Sequence, residues 1–261
     1  MTVKDKILQG RTYLGIELGS TRIKAVLIDD SFSVIASGSK QWENRFENGC
    51  WTYSLDDIHG GIQACYKDLA ENVKAQYGIY PETYGAMGIS AMMHGYMAFD
   101  KNDKLLVPFR TWRNTMTAQA AGELTKLPGF NIPPRWSIAH LYQAVLNKEA
   151  HVPYIAYINT LAGYVHKRLT DRFEVGVGEA SGIFPVEGIG YKKEYCEPTE
   201  KSLAEKGFVH QLKDILPAVR NAGEKGAVLT EEGARFLDPE GRLKACLLYT
   251  SPSPRDRTRS R

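Results

Sequence analysis

The sequence is poor in features that would announce a site on their own. It has four cysteines, Cys50, Cys65, Cys196 and Cys246, with no Cys-x-x-Cys pair and no histidine at metal-ligand spacing. That argues against a zinc module and against a disulfide framework, so a reduced, cytoplasmic protein is expected. No apolar run is long enough to span a bilayer, and the N-terminus MTVKDKILQGR has no apolar core of the kind a secretory leader needs. Walker-type and GxGxxG phosphate loops are absent, and no repeat of solenoid period occurs. Charge of one sign is scarce too. The formal net charge is +3, yet Arg255, Arg257, Arg259 and Arg261 against Asp256 account for all of it from Cys246 onward. The body is formally neutral and offers no surface suited to a polyanion such as nucleic acid.

What the chain does have is the ordinary composition of a globular protein, 43% hydrophobic and 24% charged over 261 residues. TYLGIEL, IKAVLID and SVIASGSKQW are β-rich and joined by short links, which predicts an antiparallel meander. SLDDIHGGIQACYKDLAENVKAQY then takes a helical period, with Ile58, Ile62, Cys65, Leu69 and Val73 on one stripe and Ser54 with Asp57 as a capping pair. YGAMGISAM and GYMAFD read as further strands. SIAHLYQAVLNKE predicts a helix with Ile138, Leu141, Val145 and Leu146 on one face and Ser137 as N-cap. NTLAGYVHKRLTD predicts another, FEVGVGEASGIFPV short strands or loops, and TEKSLAEKGFVHQLKDIL a helix weakened at Gly207. This order predicts a mixed α/β domain.

The link between the first two strands, in GIELGSTRIKAVLID, carries the chemistry. A tight turn exposes successive backbone N–H groups, Gly19 removes a Cβ from the path of a ligand, Ser20 and Thr21 add hydroxyls and Lys24 a point charge suited to phosphate. Glu17 conflicts with a phosphate unless a water-coordinated Mg²⁺ lies between them. An ordinary hairpin with a solvated Glu and Lys explains the same letters.

The last stretch, LLYTSPSPRDRTRSR, breaks with the rest. An Arg/Ser tail that binds RNA by charge and plain disorder are two readings. The run most closely resembles translated sequencing-adapter read-through, so residues 246–261 are expected to be a disordered, non-native tail. On that reading the natural chain continues past about Ala245.

Several stretches in order alter the weight of the turn. IELGSTRIKAVLID resembles the first phosphate loop of the actin-like ATPase superfamily, and its FGGY sugar-kinase branch in particular, with Glu17 where that family has Asp. CWTYSLDDI, GISAMMHGYMAFDKNDKLLVPFRTWRN, NIPPRWSIAHLYQAVLNKEAHV and LAGYVHKRLTDRFEVGVGEASGIFPV resemble its next segments, most closely those of xylulokinase-like members. The resemblance implies an actin-like (ribonuclease H-like) α/β domain, a mixed sheet with the meander followed by α/β units. Residues 1–12 would form an N-terminal extension and 13–245 the N-terminal, sugar-binding domain.

The implied activity is ATP-dependent phosphorylation of a sugar, a ketopentose such as D-xylulose first. L-ribulose, L-fuculose or glycerol are alternative substrates, and a non-catalytic sugar-binding module is an alternative role. The implied phosphate-binding residues are Gly19, Ser20, Thr21 and Lys24, with Glu17 holding Mg²⁺ through water. The implied sugar-binding residues are Met93, His94, Gly95, Trp112 and Arg113, with Asn114 a further hydroxyl partner and Glu179, Ser181 and Gly182 bordering the cleft. His94 as a satisfied core histidine and Trp112 and Trp136 as core packing are the competing structural readings. The family's catalytic Asp has no counterpart here, because Asp238 in FLDPEGR reads as a turn residue. The base and the adenosine pocket are therefore expected in a missing C-terminal part, the fragment is expected to be inactive and prone to self-association, and the full-length protein a homodimer.

Overall fold

The computed structural model describes residues 1–127, 129–244 and 246–250. Along the chain run α1 (Val3–Leu8), β1 (Thr12–Leu18), β2 (Arg22–Asp29), β3 (Val34–Gln41), β4 (Arg45–Glu47), β5 (Cys50–Thr52), α2 (Leu55–Tyr77), β6 (Ala86–Ala91) and β7 (Met97–Phe99). There follow α3 (Ala118–Lys126), α4 (Ser137–Leu146), β8 (Tyr157–Asn159), α5 (Leu161–Thr170), β9 (Glu174–Gly176), α6 (Val177–Ala180), β10 (Val186–Glu187) and β11 (Gly190–Tyr191). The last elements are α7 (Lys193–Glu205), α8 (Leu212–Ile215), β12 (Ala218–Arg220), β13 (Lys225–Val228), α9 (Glu231–Leu237) and β14 (Leu247–Thr250).

The main sheet has the order β13-β14-β6-β1-β2-β3. β1, β2 and β3 form the expected antiparallel meander, β6 runs parallel to β1, and β14 runs parallel to β6. β1 buries every second residue, so Leu14, Ile16 and Leu18 face the core while Gly15 and Glu17 face out. α2 covers the buried face. Its N-cap Ser54 and Asp57 form the expected capping box, and Ile58, Ile62, Cys65, Leu69 and Val73 are all fully buried. Burying each large aliphatic side chain of that stripe stabilises the domain by roughly 1.5–3 kcal/mol. A second apolar cluster gathers α3, α4, α7 and α8 around Tyr96, Leu141, Tyr142 and Phe184.

Several expectations need correction. Ser137 is not an N-cap: Trp136 holds that position without a side-chain bond, and the Ser137 hydroxyl donates instead to Gly95 O at 2.6 Å. α4 has no single buried face, because Ser137 to Val145 are all buried, with Ile138, Leu141, Tyr142 and Val145 in the second cluster. The segment 1–12 packs on the domain, since Ile7 is buried, Lys6 pairs with Asp29 at 2.8 Å, and Thr12 already belongs to β1. The disorder expected from Cys246 onward does not hold for 246–250, because Cys246 is buried and Leu247–Thr250 pair within the main sheet. Ala245 and residues 251–261 lie outside the described residues. The helix expected across Gly207 is two, α7 and α8, separated where Gly207 takes φ +88°.

Candidate functional site

β1 and β2 pair through Leu18–Ile23 and Glu17–Lys24, and Gly19 N donates to Arg22 O at 3.0 Å to close the turn. The three carbonyls of the turn all have donors. Trp42 Nε1 donates to Gly19 O at 2.7 Å, Tyr53 Oη to Ser20 O at 2.6 Å, and Trp42 N to Thr21 O at 3.2 Å. The two rings stack at 4.2 Å and both are buried. Burial pushes the Tyr53 phenol up to about 12, so it remains a donor at neutral pH. The Ser20 and Thr21 amides have no partner among the described residues.

An open recess of about 470 Å³ forms here, lined by Glu17, Gly19, Ser20, Thr21, Arg22, Lys24, Gln41, Trp42 and Glu43. The structure thus brings together all five turn residues singled out from the sequence. Gly19 has a reason besides ligand access: a Cβ there would lie 2.9 Å from Arg22 O. Sequence reasoning missed Trp42, Tyr53, Arg22, Gln41 and Glu43. The available signal was a pair of aromatics at the end of β3 and just before the α2 cap.

The second group follows β6, which lies beside β1. Met92 N donates to Leu18 O at 3.1 Å, so the chain after β6 departs next to the turn after β1. Met93 and His94 are half-buried. His94 takes φ +71° and Gly95 φ +105°, two left-handed residues in succession, which a non-glycine residue adopts only when its surroundings enforce it. Gly95 N donates to Arg135 O at 3.2 Å and Gly95 O accepts from Ser137 Oγ. Tyr96 and Arg110 exchange backbone bonds of 2.8 and 3.1 Å. Gly182 packs over the loop, since a Cβ there would lie 2.8 Å from His94 Nδ1 and 3.3 Å from Met93 Cε.

The other expected sugar residues are arranged differently. Trp112 is 44% exposed. The Arg113 guanidinium lies over the Trp51 ring at 3.7 Å and donates to Asn44 at 3.0 Å. Asn114 is buried and clamps the backbone of Trp51, accepting from its N at 2.9 Å and donating to its O at 2.8 Å. Ser181 Oγ donates to Gly178 O at 2.7 Å, a local bond. Trp136 packs half-buried against the second cluster. Asp238 is buried and accepts from the backbone N of Glu240, Arg242 and Leu243, so it organises a turn, as its sequence context predicts.

Behind the His94 loop lies a buried polar cluster that no local pattern announces. Tyr96 Oη meets His151 Nε2 at 2.9 Å, and Arg110 Nη2 is paired with Glu149. His140 stacks on Tyr96 at 6.0 Å, and both of its ring nitrogens, like Arg110 Nη1, have no hydrogen-bond partner among the described residues. Burial, with Arg110 adding to it, pushes the His140 imidazole down to about 3. Among the described residues no three His, Cys, Asp or Glu side chains form a metal cluster, and no helix is long and apolar enough to cross a membrane. The four cysteines are free.

Residues 12–238 match the model of the N-terminal domain of the FGGY family of carbohydrate kinases. The chain belongs to that family. A xylulose kinase from Lactococcus lactis subsp. lactis (strain IL1403) is 22% identical over 120 residues, 43% of this chain and 22% of that protein. The crystal structure of a "xyloylose kinase" from Brucella ovis aligns with TM-score 0.73 and 20% identity over 92% of this chain and 48% of that one. Xylulose kinase from Rhodospirillum rubrum aligns with TM-score 0.75 and 17% identity over 92% and 49%. Structures named for gluconate kinase and for a glycerol kinase with ADP align as well. The FGGY chain spans about half the length of these solved structures, and its mixed sheet carries the actin-like ATPase fold that their likeness shows.

Proposed function

We propose that this FGGY domain takes part in phosphoryl transfer from ATP to a sugar hydroxyl, with the recess after β1 receiving the phosphate tail and the Met93–Gly95 loop holding the sugar. The observation that carries the reading is the Met92 N to Leu18 O bond. It sets both turns at the carboxyl ends of adjacent parallel strands, where ligands of open α/β sheets bind. Ser20 and Thr21 supply amides and hydroxyls and Lys24 a cation to phosphate oxygens, and Gly19 leaves the backbone bare for their approach. His94 in its neutral form can both donate to and accept from sugar hydroxyls. Trp112 adds an exposed apolar face, whereas Arg113 must leave Trp51 and Asn44 to reach a hydroxyl.

Glu17 lies opposite Lys24 and in register with Ser90, and Glu43 shares the recess. One or two carboxylates without a closed protein cage suit a hydrated Mg²⁺; Glu17, with Glu43 nearby, would hold it through water, and the ion would supply charge neutralisation there. Domain closure over both turns would exclude water from the transferred group. The compartment on this reading is the cytoplasm, and the partners are sugar and nucleotide.

D-Xylulose is the first substrate, because xylulose kinases recur among the relatives. Calorimetric titration of the chain with D-xylulose, L-ribulose, L-fuculose, gluconate and glycerol tests the sugar half. The expected result is saturable binding of D-xylulose, weakened at least about tenfold by His94→Ala. No binding of any of the five would overturn it.

A further inference from the structure

We propose that Trp42 and Tyr53 are positioning residues that turn the Ser20 and Thr21 amides outward and thereby make the turn after β1 an anion receptor. The inference deepens the phosphate reading above and rests on it. In a trans peptide the C=O and the N–H of one unit point in opposite directions. Gly19 O is drawn onto Trp42 Nε1, so the N–H of the same peptide unit, that of Ser20, points away from the aromatic pair. Ser20 O is drawn onto Tyr53 Oη, so the Thr21 N–H points away as well. Neither amide has a partner among the described residues, and both residues line the recess. Two consecutive amides aimed into one concavity make a receptor for an anionic oxygen.

The donors come from outside the hairpin. Trp42 follows β3 and Tyr53 precedes the cap of α2, and their rings stack on one another, with Tyr53 also tilted against Phe109 at 6.4 Å. A plain β-hairpin requires none of this, because Gly19 N to Arg22 O already closes it. The two side-chain donors therefore fix a feature beyond the hairpin, namely the orientation of two peptide planes. Trp42 also lines the recess, so its indole is placed to report an occupant.

The probe is inorganic tripolyphosphate, titrated calorimetrically into the whole chain with and without Mg²⁺. The variants are Trp42→Phe and Tyr53→Phe, each of which keeps a ring and removes one donor. Tyr84→Phe is the control, because it removes a buried hydroxyl that bonds Tyr66 and touches neither turn. The expected result is that each positioning variant loses about tenfold in affinity while the control binds like wild type. The ¹⁵N–¹H resonances of Ser20 and Thr21 should shift on adding tripolyphosphate in the wild type and shift less in both variants. Wild type that binds, with both variants unchanged in affinity and in these shifts, would overturn the positioning role alone. Wild type that fails to bind would overturn the phosphate reading and this inference together. Thermal melts identify a variant that has lost its fold, and the remaining variant then decides.

Discussion

The turn after β1 and the loop after β6 leave neighbouring strands at the same end of the sheet, yet they are held by opposite means. The first has no left-handed residue and is oriented by donors from Trp42 and Tyr53 onto its carbonyls. The second carries its constraint in the backbone itself, at His94 and Gly95, and is held by Ser137, Arg110, Arg135 and the bare α-carbon of Gly182. A receptor made of amides needs only peptide planes set at fixed angles. On the proposed reading, a side chain that must meet a hydroxyl from one direction needs its own α-carbon forced to a place, and His94 is held by strain that residues distant in sequence enforce.

The sharpest way to break this contrast is at Gly95. A Cβ there would lie 2.8 Å from Arg110 O and 2.9 Å from the Phe109 ring, at φ +105°. Gly95→Ala is expected to lose about 2–4 kcal/mol of stability in denaturant titrations and to abolish sugar binding. A variant that melts like wild type would show that the loop is not under the constraint described. Ser137→Ala comes next. It removes the buried hydroxyl that holds Gly95 O and is expected to cost about 1–3 kcal/mol, with weaker D-xylulose binding and tripolyphosphate binding unchanged. Equal losses for both ligands would mean that the two turns are one mechanical unit.

These differences also explain what was legible beforehand. The meander, α2 with its cap, and the grouping of Glu17, Gly19–Thr21 and Lys24 are local in sequence, so period and turn chemistry reveal them. Trp42 and Tyr53 reach the turn from about twenty and thirty residues away, and nothing in their own neighbourhood shows which carbonyl they serve. Ser137 looks like an N-cap because it opens a helix, yet α4 is buried all round and the hydroxyl is captured across the fold. The resemblance implies hydroxyl partners at Arg113 and Asn114, but in the structure Trp51 of the β4–β5 hairpin engages both. That hairpin was not foreseen, and its strands are three residues each.

The buried cluster behind the second loop gives a pH test with no counterpart at the first. His140 is neutral in the fold because burial pushes its pKa down to about 3 from an ordinary 6.5. The unfolded chain therefore binds a proton that the folded one refuses as pH falls through that window. Stability is fully present above about pH 6.5 and declines below it, by at most about 1.4 kcal/mol per pH unit from this one group. His140→Leu should flatten the acid limb of the stability–pH curve by up to that slope. At pH 7 it should be close to neutral or mildly stabilising, since neither ring nitrogen has a partner to lose. His59, His151 and His166, also pushed down by burial, keep some slope in the variant. An unchanged acid limb would show that His140 is hydrated in solution.

The smallest expected effect separates the loop from its rim. The Arg113 guanidinium covers Trp51 at 3.7 Å and bonds Asn44 from an exposed position. An exposed cation–π contact of this kind contributes roughly 0.5–1 kcal/mol. Arg113→Ala should therefore lower stability by less than about 1 kcal/mol and leave D-xylulose affinity within about twofold. A loss in affinity like that of His94→Ala would mean that the arginine swings from the hairpin onto the sugar when the ligand enters. The constraint on the second loop would then extend to the hairpin, and the contrast between a turn braced from outside and a loop strained from within would have to be redrawn.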